Sequence, residues 1–329
     1  MPKPGAALRI HVHVNPASML AGEITRERIL ARLGGEDDIA LSLGTTAGEL
    51  EAALPETEVL LLTGQAPLQD LRRRAPRLRW ISYTSAGVDW LIEAGLPDGV
   101  VLTNASGTHV PKAAEFALAA VLMLNLRIPT FATAMRAHRW QQISGGTVAG
   151  RTALILGMGA LGGAAADALK AQGMRIVGNS RSGDAHPSVD VMTRGDEFRA
   201  HLPQTDFLLI TLPLTAETRG LVGAAELDLL PPTAGVVNIG RGEVLDDAAL
   251  AQRLTDGRLS GAVLDALPRE PLPPGSPLWD TPSLIITPHC GLYDPTGYGP
   301  RCLDLFAANV RRYRSRETLH QIVEPTRGY

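Results

Sequence analysis

One short glycine-rich segment constrains the fold of this chain more than any other feature. Gly157-Met158-Gly159-Ala160-Leu161-Gly162 follows a predicted strand at Thr152–Leu156 and opens a predicted helix at Ala160–Gln172. A second predicted strand, Arg175–Gly178, comes next at the spacing of a β-α-β unit. Glycines at these three positions allow a tight turn, close approach of the backbone to a pyrophosphate and close helix–strand contact. We therefore predict that this loop binds a dinucleotide.

Short apolar strands alternate with helical stretches along the whole chain, which favours parallel sheets covered by helices on both faces. The first region predicts strands at 8–14, 58–62, 79–83 and 100–103, with helices near 23–33 and 67–74. The second region adds strands at 207–212, 235–239, 261–264 and 284–287, with helices at 223–230 and 246–255. At roughly 150 residues per domain, 329 residues predict about two domains. We expect two doubly wound α/β domains.

Composition excludes several other classes of protein. The chain has 31 Lys and Arg against 34 Asp and Glu, so no basic excess indicates a nucleic-acid or membrane-surface partner. Its two cysteines, Cys290 and Cys302, exclude a disulfide scaffold. No long apolar stretch follows Met1–Gly5, and the most apolar run, 113–124, is shorter than the roughly 18–20 residues that span a bilayer. These features predict a cytoplasmic protein without a membrane partner.

The residues after the second strand of the β-α-β unit bear on which dinucleotide fits. An acidic residue there would bind the ribose 2′-OH of NAD, but Ser180 stands in that place and is followed by Arg181 and Ser182. An arginine with small hydroxyls suits a 2′-phosphate. We therefore predict NADP in preference to NAD. Asp184 would restore NAD binding if the strand ran longer.

Three later strand ends carry side chains suited to acid–base and carboxylate chemistry. Arg241 follows the strand at 235–239, Glu270 follows that at 261–264, and His289 follows that at 284–287. Ligands of open α/β sheets bind beyond the carboxyl ends of the strands, so we expect these side chains to meet in one cleft. Taken singly, each has a plainer interpretation: His289 as a core histidine, Arg241 and Glu270 as surface charges.

These motifs resemble the D-isomer-specific 2-hydroxyacid dehydrogenase family, and within it the glyoxylate/hydroxypyruvate reductase-like members. Thr103-Asn104-Ala105-Ser106-Gly107, Ala114-Glu115-Phe116-Ala117 and the Leu212–Thr218 segment extend the resemblance over nearly the whole chain. The resemblance implies a flavodoxin-like substrate-binding domain of residues 1–104 and 290–329. A Rossmann NAD(P)-binding domain of residues 105–289 would be inserted into it. It further implies NAD(P)H-dependent reduction of small 2-keto acids, glyoxylate or hydroxypyruvate among them, by a homodimer.

The resemblance also implies a role for each site residue. His289 would be the general acid paired with Glu270, Arg241 would clamp the substrate carboxylate, and Trp140 would either limit substrate size or pack in an interface. Backbone groups of Ala86, Gly87 and Val88 would bind the same carboxylate. Beyond the glycine loop and Ser180, Arg181 and Ser182, the implied cofactor contacts are Leu212, Pro213, Thr218, Ile239, Gly240, Arg241, Asp265, His289 and Gly291. The histidines show no metal-ligand spacing, so no metal is expected.

Two alternatives remain open. One is a phosphoglycerate- or phosphite-type dehydrogenase of the same family, because the early region, roughly 20–66, matches loosely. The other is a cofactor-sensing binding protein like the C-terminal binding protein corepressors, which share the fold.

The helix expected at 113–124 is apolar all round, which requires burial either inside one domain or against a second subunit.

Overall fold

The structure is a computed structural model that describes residues 7–34 and 38–324; the prediction made on Met1–Gly5 concerns residues outside these ranges. The chain divides into two compact units, residues 1–108 with 294–329, and residues 109–293. Both boundaries lie four residues beyond those expected from the sequence. The segment after residue 104 stays with the first unit because Ala105 N donates to Ser85 O (3.0 Å) and Thr108 O accepts from Arg301 Nε (2.7 Å).

The first unit contains one five-stranded parallel sheet. Its strands are β1 (Leu8–His13), β2 (Ile39–Gly44), β3 (Val59–Leu62), β4 (Trp80–Tyr83) and β5 (Val101–Thr103), in the order β2-β1-β3-β4-β5. This is the flavodoxin-like doubly wound order. Its helices are α1 (Arg26–Leu33), α2 (Ala47–Ala53), α3 (Leu71–Arg74), α4 (Asp89–Glu93) and, from the end of the chain, α10 (Tyr298–Ser315). Central strands β3 and β4 are buried at every residue, as strands covered on both faces must be.

The second unit contains a seven-stranded parallel sheet in the order β12-β11-β10-β9-β6-β7-β8. Its strands are β6 (Thr152–Leu156), β7 (Arg175–Ser180), β8 (Val191–Arg194), β9 (Phe207–Ile210), β10 (Gly235–Asn238), β11 (Gly261–Leu264) and β12 (Leu284–Ile286). Its helices are α5 (Val110–Asn125), α6 (Ile128–Arg136), α7 (Ala160–Lys170), α8 (Ala224–Leu229) and α9 (Asp247–Thr255). The order is that of a Rossmann sheet with one added edge strand. The two parallel-sheet α/β domains are therefore confirmed.

Some elements escaped prediction because their sequence pattern is weak. Edge strand β2 (Ile-Ala-Leu-Ser-Leu-Gly) buries Ile39, Leu41 and Gly44 and exposes its other three residues. Edge strand β8 is Val-Met-Thr-Arg. Such short, partly polar strands lack the apolar run that identifies a buried strand. The strand predicted at 175–178 also continues to Ser180, so Ser180 is its last residue.

Helix α5 is buried on one face only. Ala113, Ala117 and Val121 are fully buried, whereas Leu118 and Met123 remain half-buried. Burial on every side within one domain, one of the two alternatives predicted, is therefore wrong. Among the described helices, none alone has the length and hydropathy to cross a bilayer, and α5 and α6 meet that test only as a pair bent by 60°.

Candidate active site

The glycine loop connects β6 to α7 through a turn that larger residues would not fit. Gly157 has φ +102°, a backbone conformation that L side chains rarely adopt. A Cβ on Gly162 would overlap with the Gly157 carbonyl oxygen, so helix and loop approach as closely as glycine allows. Thr211 Oγ1, just after β9, donates to the same carbonyl oxygen at 2.5 Å. This hydrogen bond holds the glycine loop at the carboxyl end of β9.

Helix α7 begins at Ala160, within the glycine loop. Gly159 occupies its N-cap position, and no side chain of the described residues caps its first turn. The first N–H groups of a helix lack partners within the helix and carry the positive end of its dipole, so they attract anionic groups. A glycine cradle beneath an uncapped helix N-terminus fits the pyrophosphate of a dinucleotide.

The turn after β7 is ordered by its own hydrogen bonds. Ser180 Oγ accepts from Gly183 N at 2.9 Å, which closes the turn and leaves Arg181 and Ser182 exposed. Asp184 is also exposed and lies four residues beyond the end of the strand. The turn therefore presents an arginine and hydroxyls where an acidic residue is expected for NAD.

Three neighbouring strands bring the predicted reactive residues to one sheet edge. β10, β11 and β12 pair in parallel, with Asn238 opposite Leu264 and Leu264 opposite Ile286. Arg241 follows β10, Glu270 follows β11 and His289 follows β12. Carboxyl ends of parallel strands share one edge, and the glycine loop leaves β6 at that same edge.

Asp265 anchors the loop that carries His289. It is 2% exposed, and its Oδ1 accepts from Thr287 Oγ1 (2.5 Å), Gly291 N (2.9 Å) and Cys290 N (3.1 Å). These bonds hold both sides of His289, whose φ of +50° is uncommon outside glycine. A buried carboxylate that accepts three hydrogen bonds therefore sets the backbone from which the histidine projects.

His289 and Glu270 form a close pair. His289 Nδ1 lies 2.7 Å from Glu270 Oε2, and Glu270 Oε1 accepts from Leu267 N at 2.8 Å. A carboxylate only accepts hydrogen bonds, so Nδ1 carries a proton and donates it to this bond. Glu270 thereby sets the orientation and protonation of the ring, leaving Nε2 as the nitrogen available for a substrate.

Arg241 is positioned by Asn238 and by its contact with the Glu270 segment. Asn238 Nδ2 donates to Arg241 O (3.0 Å), and Asn238 Oδ1 accepts from Gly240 N (3.0 Å). A Cβ on Gly242 would overlap with the Leu267 carbonyl carbon, so the two segments are in direct backbone contact. Because Leu267 N also holds Glu270, a continuous set of contacts links the Arg241 turn to His289.

Five further predicted residues lie at the turn after β9 or beside it. Leu212, Pro213 and Thr218 form a turn after β9, in which Thr218 Oγ1 donates to Pro213 O at 2.7 Å. Ile239 and Gly240 are buried beside that turn, and a Cβ on Gly240 would lie 2.6 Å from Leu212 O.

The remaining predicted residues follow other elements of the chain. Ala86, Gly87 and Val88 belong to the first unit, where Ala86 O accepts from Asn104 Nδ2 at 2.9 Å. Trp140 is 93% exposed.

Sequence reasoning missed three positioning residues, Thr211, Asn238 and Thr287. Each is a short polar side chain at or just past the end of an otherwise apolar strand, which is the signal that could have identified them. Their hydroxyl or amide groups hold the glycine loop, the Arg241 turn and Asp265 in place.

Comparison with known proteins indicates the family to which the chain belongs. The family model described as D-isomer specific 2-hydroxyacid dehydrogenase, NAD binding domain, matches residues 118–291. The chain is 35% identical over 246 residues to glyoxylate/hydroxypyruvate reductase B of Pectobacterium carotovorum, covering 73% of this chain and 77% of that protein.

Solved structures show the same fold over nearly the whole chain. A D-isomer specific 2-hydroxyacid dehydrogenase from Xanthobacter autotrophicus, in complex with NADPH and MES, has a TM-score of 0.86 and 30% identity and covers 98% of this chain and 100% of its own. An NADPH-dependent glyoxylate/hydroxypyruvate reductase from Sinorhizobium meliloti, in complex with NADP and sulfate, has a TM-score of 0.81 and 29% identity, with 98% and 100% coverage.

A longer relative also matches. The chain is 30% identical over 284 residues to D-3-phosphoglycerate dehydrogenase of Mycobacterium bovis, covering 84% of this chain, and it spans 53% of the length of that relative. The matches confirm the resemblance found in the motifs. The chain belongs to the D-isomer specific 2-hydroxyacid dehydrogenase family, and residues 118–291 match its NAD-binding domain.

Proposed function

We propose that this chain is an NADPH-dependent reductase of small 2-keto acids, glyoxylate and hydroxypyruvate among them. The observation that carries the proposal is the His289–Glu270 pair, 2.7 Å apart, at the sheet edge that also bears Arg241 and the glycine loop. Relatives named glyoxylate/hydroxypyruvate reductase and solved neighbours that hold NADPH or NADP support it.

The proposed chemistry assigns one task to each side chain. Reduction of a 2-keto acid places a hydride on the carbonyl carbon and a proton on the carbonyl oxygen, and bound NADPH supplies the hydride. His289 in its protonated form donates the proton from Nε2 to the oxygen. Glu270 stabilises the protonated ring through Nδ1 and keeps Nε2 directed at the substrate.

Arg241 is the proposed carboxylate ligand. Its planar guanidinium matches the two oxygens of a carboxylate and keeps its charge at every physiological pH. The same cation draws electron density from the adjacent carbonyl group. Backbone groups of Ala86, Gly87 and Val88 remain the predicted second contact for that carboxylate.

The proposed cofactor contacts follow the sheet edge. Gly157 to Gly162 and the first turn of α7 would hold the pyrophosphate, while Ser180, Arg181 and Ser182 would hold the 2′-phosphate. The nicotinamide would lie towards the later strand ends, near Leu212, Pro213, Thr218, Ile239, Gly240, Asp265 and Gly291.

We also propose that the chain forms a homodimer through α5, α6 and the arm that follows. Met135 is 73% exposed and Trp140 93%, and Leu126 and Ile128, from the same stretch of chain, are also exposed. Large apolar side chains left exposed close together in the sequence favour burial against a partner. Static light scattering at micromolar concentration tests this, since a monomer would contradict it.

A substrate screen tests the proposed activity. Glyoxylate, hydroxypyruvate, pyruvate, phenylpyruvate and 3-phosphohydroxypyruvate are each assayed with NADPH and with NADH. We expect the highest kcat/KM for glyoxylate or hydroxypyruvate with NADPH. Preference for the phosphorylated keto acid would favour the phosphoglycerate-type alternative, and a clear NADH preference would overturn the cofactor prediction. Tight NADPH binding without turnover of any keto acid would favour a cofactor-sensing binding protein.

A further inference from the structure

A second arginine stands at the turn that follows β7. β7 and β8 pair in parallel with Ser180 opposite Arg194. One position earlier, Asn179 Nδ2 donates to Thr193 Oγ1 at 3.0 Å, so paired residues of these strands share a face. The side chain of Arg194 therefore leaves the sheet on the same face as Ser180.

The aliphatic stem of Arg194 lies against the turn itself. A Cβ on Gly183 would overlap with Arg194 Nε and lie 2.6 Å from Cγ and 2.9 Å from Cδ, so this side chain passes close over the turn as far as its guanidinium group. Gly183 N is the donor that closes the turn on Ser180 Oγ. Arg194 and Arg181 thus project from the same small structure, one from the neighbouring strand and one from the turn.

Hydrogen bonds hold the backbone around Arg194 in place. Its N–H donates to Glu197 Oε2 at 2.8 Å, and the next residue, Gly195, accepts through its carbonyl from Asn179 Nδ2 at 3.1 Å. Asp196, two residues after Arg194, pairs with Arg199. Within residues 7–34 and 38–324, Arg194 makes no ion pair.

We propose that Arg194 is a specificity-determining residue that binds the 2′-phosphate of NADP together with Arg181. The inference rests on the NADP preference proposed above. A phosphate monoester carries nearly two negative charges and three acceptor oxygens, enough for two guanidinium groups. The 2′-OH of NAD carries no charge and attracts neither arginine.

Binding of cofactor fragments tests the proposal without an activity assay. Calorimetry compares adenosine 2′,5′-bisphosphate with 5′-AMP, which differs only in lacking the 2′-phosphate. We expect Arg194→Gln, which keeps part of the stem over Gly183, to weaken bisphosphate binding about 10- to 100-fold and to leave 5′-AMP binding unchanged. Arg194→Lys should retain an intermediate affinity because it keeps the charge but not the fork. Arg175→Ala, which removes a cation at the opposite end of β7, is the matched control and should change neither affinity.

The outcomes separate this inference from the proposed function. Equal loss of both fragments in Arg194→Gln would show that the residue packs the turn or the adenine, and would overturn the proposal. Loss of discrimination in Arg181→Ala but not in Arg194→Gln would leave the NADP preference standing and overturn the role of Arg194. A wild-type chain with no preference for the bisphosphate would overturn both.

Discussion

Two buried polar clusters, one in each unit, differ in how completely their hydrogen-bonding groups are satisfied. In the second unit, Asp265 is 2% exposed and one of its oxygens accepts three hydrogen bonds. In the first unit, His11 and His13 on β1 are just as buried, yet His11 Nε2 and His13 Nδ1 have no hydrogen-bond partner among the residues that the structure describes.

The difference has a physical consequence. A buried group without partners disfavours its charged form, so burial lowers the pKa of His11 to about 4, with the nearby His13 acting in the same direction. Burial also lowers the pKa of His13, and Glu49 opposes both shifts. Three hydrogen bonds to one oxygen support the buried carboxylate as an anchor, whereas ring nitrogens without partners leave buried imidazoles that favour the neutral form.

The largest expected effect separates the clusters by function. His289→Gln, on the loop that Asp265 anchors, should lower kcat by roughly 10²- to 10⁴-fold because the general acid is lost, while NADPH binding persists. His11→Gln is the matched control, since it removes a histidine from the other cluster and should leave kcat unchanged. Unaltered turnover in His289→Gln would remove that residue from the mechanism.

Stability measurements on Asp265 come next in size. Asp265→Ala leaves the Thr287 hydroxyl and two backbone N–H groups without their acceptor, and should cost about 3 kcal/mol of unfolding free energy. Asp265→Asn keeps one acceptor oxygen and should cost about 1 kcal/mol. Urea unfolding at pH 7 measures both. Equal values for the two variants would show that the carboxylate is not the anchor.

The histidine cluster predicts a pH dependence of stability. The folded pKa of His11, about 4, lies below its ordinary 6.5, so the unfolded chain binds more protons between these values and stability falls as pH falls. Between pH 7 and pH 5 the loss is about 2 kcal/mol from His11 alone. Urea titrations across this range should show the loss in the wild type and much less in His11→Gln. A pH-independent wild type would contradict the lowered pKa.

The smallest effect concerns Ser42, a hydrogen-bond partner of the His11 ring. Ser42 Oγ lies 2.8 Å from His11 Nδ1. Ser42→Ala leaves the second ring nitrogen without a partner as well, and should destabilise the fold by about 1 kcal/mol at pH 7. If water takes the place of the exposed hydroxyl, the urea midpoint will stay unchanged. That result would show that the two clusters differ less in their hydrogen bonding than proposed.

Much of the fold followed from local patterns. The glycine loop and the strands around it were predictable because a buried parallel strand is a short apolar run and a close backbone approach needs glycine. Edge strands β2 and β8 were not, because their side chains are partly exposed and carry no apolar signature. Arg194 was not predicted as a site residue for the same reason, because it is the last residue of β8.

The site residues show the same division. Arg241, Glu270 and His289 could be predicted as site residues because each stands shortly after a strand and matches a family motif. That Asp265 anchors the His289 loop through Thr287 could not be predicted, because the donor and acceptor come from different strands. Hydrogen-bond partners remote in sequence depend on strand order and register, which no local pattern specifies.

The sequence by itself determined the class of fold, and it predicted the glycine loop and the candidate reactive side chains, because each depends on residue type at short spacing. Only the tertiary structure decided which oxygen of Glu270 holds His289, how Asp265 is satisfied, and that Arg194 lies over the same turn that presents Arg181. These outcomes depend on distances between segments far apart in the chain, and packing of the sheet alone sets such distances.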